Sequence, residues 1–88
     1  MLRLTINSEQ EEFFSNLEEV WCYLNLAYSS LADPYSNVLK WRLSIDGHRI
    51  YCCQELPAIA WYVLARTFEY FKEWLSFQLS YSAKLAYP

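Results

Sequence analysis

The most reactive side chains of this chain are one histidine and three cysteines, and their spacing limits what they can do. His48 and Cys52 lie four residues apart in a stretch that alternates apolar and polar residues. On an extended strand that separation is roughly 13 Å, too long for the hydrogen bond that activates a thiol nucleophile. Cys52 and Cys53 are adjacent, so a strand sends them to opposite faces and denies them a shared metal ion. Together with Cys22 they read as two small hydrophobes and one surface thiol. The single glycine cannot build a phosphate-cradling loop. The residues therefore predict a protein that is not an enzyme, with no catalytic residue, cofactor or metal site.

Charge and aromatic rings offer a different chemistry, that of binding. Arg3, Lys40, Arg42 and Arg49 are four of the seven cations, and strand alternation can set them on one face beside Tyr51. Cations next to an aromatic ring on a sheet resemble single-strand nucleic-acid platforms; an acidic protein suits them better, and an ordinary solvated face accounts for them most simply. Glu11, Glu12, Glu18 and Glu19 gather, on a helical reading, along one arc, an acidic face able to imitate phosphate toward a basic partner. Val63, Tyr70, Trp74, Phe77 and Tyr81 form an apolar stripe beside the one that would face a core, and Trp and Tyr are interface residues by preference.

Composition sharpens this last point. The chain has 88 residues, of which 55% are apolar, and its aromatics number four Trp, eight Tyr and five Phe. Each aromatic side chain buries about 150–250 Å², more than one small core absorbs. The expected use of the surplus is a protein interface, first of all with a second copy about a two-fold axis. A net charge of −3 and a pI of 5.0 weigh against nucleic acid as a partner. No apolar run approaches the roughly 20 residues of a membrane span. The first residues lack the pattern of a signal peptide, and the odd cysteine count argues against a disulfide framework. These point to the reduced cytoplasm.

Positioning these residues takes five elements. Leu2, Leu4 and Ile6 alternate with polar neighbours and predict a strand over 2–6. Ser8 with Glu11 has the form of a capping box, and Phe13, Leu17, Val20, Trp21, Leu24, Tyr28 and Leu31 repeat at helical spacing, predicting a helix over 9–31 ended by Asp33-Pro34. Leu39, Trp41, Leu43 and Ile45 alternate up to Asp46-Gly47, a favoured two-residue turn. That turn predicts a hairpin, 39–45 with 48–54, pairing Ile45 with His48 and Leu43 with Ile50. Pro57 suits a helix start, and a helix over 57–83 follows, with a core stripe of Ala60, Trp61, Leu64, Phe68, Phe71, Leu75 and Leu79. The whole is read as a single α+β domain over 1–88, β-α-β-β-α. Two helices cover one face of a three-stranded sheet and leave its other face open.

Overall fold

The computed structural model describes residues 1–45 and 50–86, with side chains described over 1–45 and 52–78. Strand β1, Leu2–Ile6, follows its alternation, with Leu4 and Ile6 buried and Arg3 exposed. At Asn7 and Ser8 the backbone takes positive φ, 53° and 61°, as both central residues of a type I′ turn must. The Glu9 N–H donates to the Ile6 carbonyl at 3.1 Å. Asn7 is also clipped to a neighbouring strand: its N–H donates to the Lys40 carbonyl at 2.7 Å, and its Oδ1 accepts from the Lys40 N–H at 3.2 Å. The chain therefore doubles back into strand β2, Gln10–Phe14, paired antiparallel with β1 from Ile6↔Gln10 to Leu2↔Phe14.

This corrects the expected helix over 9–31. Helix α1 spans Leu17–Ser29, and its true cap is Asn16, whose Oδ1 accepts the Glu19 N–H at 3.0 Å. The Glu19 carboxylate reaches back past the cap to the Ser15 N–H at 3.4 Å, one residue earlier than the N–H a capping box would engage. From Leu17 onward the expected stripe holds: Val20, Leu24 and Tyr28 are buried, and Leu17, Trp21 and Leu31 pack against the core. At the helix end the Ser29 and Ser30 hydroxyls donate to the Leu26 and Ala27 carbonyls, each at 2.8 Å. Asp33 then turns the chain, its Oδ1 accepting from the Tyr35 and Ser36 N–H groups, and those bonds hold its carboxyl below the usual range.

Strand β3, Val38–Ile45, pairs with strand β4, Ile50–Pro57, and with β1 on its other side. The sheet is thus four-stranded and antiparallel, in the order β2-β1-β3-β4, rather than three-stranded. Its hairpin register also differs from the expected one. Ile45 pairs with Ile50, Leu43 with Cys52 and Lys40 with Glu55, a slip of two residues that leaves the described side chains of both strands on their expected faces. The longer ladder sets Leu39 against Leu56 and allows Lys40 Nζ to meet Glu55 Oε1 at 3.3 Å. Asp46, Gly47, His48 and Arg49 lie outside the described residues.

The expected helix over 57–83 is two helices, α2 at Ala58–Leu64 and α3 at Phe68–Ala86. Pro57 closes β4 and caps α2 in extended conformation. Ala65 leaves the helical region, with φ −132° and ψ 34°. Its freed carbonyl accepts the Trp21 indole N–H at 2.9 Å. Thr67 restarts the helix: its hydroxyl accepts the Tyr70 N–H at 3.2 Å and its carbonyl the Phe71 N–H at 3.0 Å, the work of an N-cap residue.

All three helices pack on one face of the sheet. Val20, Leu24, Tyr28, Ala58, Trp61, Ala65, Phe71 and Leu75 meet Leu4, Ile6, Leu39, Trp41, Leu43 and Cys52 in one core cluster. Its centre is aromatic. The Trp61 ring stacks on Tyr28 at 5.0 Å, meets Trp41 edge-on at 6.2 Å and lies 5.4 Å from Phe71. Such pairs add about 0.5–1.5 kcal/mol each beyond the area they bury. Their polar atoms are partnered: the Trp41 indole donates to the Tyr28 hydroxyl at 3.0 Å and the Trp61 indole to Asn25 Oδ1 at 2.8 Å. Burial pushes the Tyr28 phenol up to about 12, with the Trp41 hydrogen bond opposing.

Candidate functional site

The break at residues 65–67 shapes the first candidate surface. Where α2 ends and α3 begins, Val63, Leu64, Tyr70, Glu73, Trp74, Phe77 and Gln78 line one open groove. Val63 is 68% exposed and Phe77 79%, values that set them apart from the half-exposed Tyr70. The Arg66 guanidinium lies 4.3 Å from the Tyr70 ring centroid, a cation–π contact that steadies the ring. Four of the five expected stripe residues therefore come together. The fifth, Tyr81, lies on α3 beyond the described side chains.

Trp74 differs from the expectation of a free interface residue. It is partly buried, packed against the core, with its ring 6.1 Å from Trp41 and 6.3 Å from Phe71. It is the floor of the groove, and Val63, Tyr70 and Phe77 are the walls. Tyr62, exposed on α2 next to Val63, widens the apolar surface and falls in neither expected stripe. The loop before β3 meets the start of α2, where the Pro34 carbonyl accepts the Ile59 N–H at 2.9 Å.

The second surface is the sheet face opposite the helices. Arg3, Thr5, Ser8, Glu11, Lys40, Arg42, Cys53 and Glu55 line a shallow depression there. The expected basic residues Arg3, Lys40 and Arg42 do gather on this face. Arg49 lies outside the described residues, and Tyr51 is placed only by its backbone register with Ser44. Sequence reasoning missed Phe13. With β2 a strand, Phe13 pairs with Arg3 and is 57% exposed. The signal for it was the alternation of β2, hidden under a helical spacing that Phe13 happens to share with Leu17.

The expected acidic arc does not form. Glu11 and Glu12 are neighbours on a strand and alternate across the sheet, Glu11 joining the basic face and Glu12 half-buried on the other side. Glu18 and Glu19 begin α1, and Glu19 is engaged in its cap. The arc failed because the helix that would have carried it starts after Asn16.

Cys22 and Cys53 are exposed, and Cys52 is buried. Burial raises the Cys52 thiol, against a hydrogen bond from the Gln54 amide at 3.6 Å, so it packs as a small apolar group. Among the described residues no three His, Cys, Asp or Glu side chains converge on a common point, and no helix is long and apolar enough to cross a membrane. The chain matches no protein-family model, no curated protein and no solved structure.

Proposed function

We propose that this protein is a non-catalytic binding module, an accessory or inhibitory protein that acts by covering the surface of a partner protein, and that the groove at the α2–α3 junction is its contact surface. The observation that carries this is the exposure of Val63, Tyr70 and Phe77 around the Trp74 floor. The groove offers ring faces, aliphatic branches, one carboxylate and one carboxamide. These supply contact area and orientation, the ingredients of an interface hot spot.

The partner favoured here is a second copy. Val63, on α2, and Phe77, on α3, are the most exposed apolar residues of the groove. A two-fold axis over the groove sets Phe77 of one copy against Val63 of the other, twice, and isologous interfaces need such self-complementarity. The projecting Phe77 then fills the groove end that Val63 and Leu64 line.

Light scattering across a concentration series tests this reading. The expected result is a dimer that dissociates on dilution, with Phe77→Glu monomeric and folded as judged by circular dichroism. Phe77 is the better probe than Trp74, whose ring also packs in the core. A concentration-independent monomer would overturn self-association and hand the groove to a different protein. Unchanged assembly of the variant would remove the groove from the interface.

A further inference from the structure

Among the described residues the sheet face opposite the helices carries exposed Arg3, Glu11, Phe13, Lys40, Arg42 and Cys53, and they are ordered by register. Phe13 on β2 stands directly opposite Arg3 on β1. On the next row Glu11, Thr5, Arg42 and Cys53 line up across all four strands. Arg3 and Arg42 are therefore diagonal neighbours across β1 and β3, a separation of about 7–8 Å. Both are exposed, and among the described residues neither forms a salt bridge. Glu55 is paired with Lys40, which leaves Glu11, among the described residues, as the one carboxylate facing two arginines in the depression.

We propose that this face binds single-stranded nucleic acid, with a base stacked on Phe13 and phosphates held by Arg3 and Arg42. A ring and a guanidinium side by side on a bare sheet match the two halves of a nucleotide. The base supplies a π-face for Phe13, and the phosphate supplies the bidentate acceptor an arginine fits. An acidic protein segment would satisfy the arginines but leave Phe13 exposed. A packed helix or sheet would require an apolar face, whereas Thr5, Ser8 and Lys40 make this one polar. The molecule's overall negative charge opposes a polyanion, and Glu11 and Glu55 lie on this face. Glu18 and Glu19, however, sit at the start of α1, on the helix side. The site is independent of the groove and of self-association.

Fluorescence anisotropy with labelled oligouridine and oligothymidine, titrated at several salt concentrations, tests it. Two phosphate contacts predict a slope of log K against log salt of about −1.4 on a single strand. Arg3→Gln and Arg42→Gln should each flatten that slope by about 0.7. Phe13→Ala should weaken binding about tenfold and leave the slope alone. Tyr35→Ala, which removes an exposed ring from the loop before β3, should change neither. Absence of saturable binding would overturn the proposal. So would binding indifferent to Phe13, or displacement by poly-glutamate at equal charge, which would make the face a site for acidic protein.

Discussion

Tyr28 sits where the hydrogen-bond network and the aromatic core meet, so its titration reports on both. Its phenol titrates near 12 when folded, against 10 for a free tyrosine. The raised value favours the neutral form in the native state. Tyr28 therefore contributes its full stabilisation below pH 10, and that contribution is lost as pH climbs from 10 through about 12. The loss amounts to about 2–3 kcal/mol, and thermal melts by near-ultraviolet circular dichroism between pH 8 and 12 should show Tm falling only above 10. Tyr28→Phe should lower stability at neutral pH by about 1–3 kcal/mol, because the Trp41 indole N–H loses its acceptor at 3.0 Å. A wild-type Tm that is flat to pH 12 would contradict this account.

At the level of elements, two caps decide where helices begin, and each is testable. Asn16→Ala should cost about 1 kcal/mol by removing the acceptor of the Glu19 N–H. Thr67→Ala should cost a similar amount at the start of α3, and chemical denaturation reads both. Equal midpoints for variant and wild type would show that water replaces the cap. These two residues also explain what could be read from the chain beforehand. Ser8 with Glu11 and Asn16 with Glu19 are the same spacing eight residues apart, and only the turn at Asn7-Ser8 separates strand from helix. Thr67 carries a cap signal, yet neither glycine nor proline marks the break, so an unbroken apolar spacing hid it. In the hairpin, alternation identified the buried face of β3 and β4 correctly. It could not fix the register, since a slip of two residues preserves that face. For the same reason Arg3, Lys40 and Arg42 were legible as one surface from alternation alone. Phe13 was not, because its place depended on the kind of element that held it.

For the molecule as a whole, the exposed surface is 5956 Å² over the described structure, and a standard interface removes about 800 Å² from each partner. The groove with Tyr62 and the walls around Trp74 is a fraction of that surface suited to such a contact. If the folded state is the dimer, Tm must depend on protein concentration by mass action. It should rise by roughly several degrees for each tenfold increase, given the enthalpy of a domain this size. Phe77→Glu should abolish that dependence while leaving the low-concentration Tm near the wild-type value. Scanning calorimetry at two concentrations checks both. A concentration-dependent melt that persists in the variant would place the subunit contact outside the groove.

The chain of rings through the core has an optical consequence. Trp41 lies edge-on to both Trp61 and Trp74, at 6.2 and 6.1 Å. Indole transitions held that close and at fixed angles couple as excitons and split into a paired circular-dichroism signal. Chromophores from a strand and two separate helices share that signal, so its full amplitude requires β3, α2 and α3 to be docked together. The protein thus carries an internal reporter of tertiary order. Because Trp74 also floors the groove, an occupant settling there should perturb the same signal without any attached label.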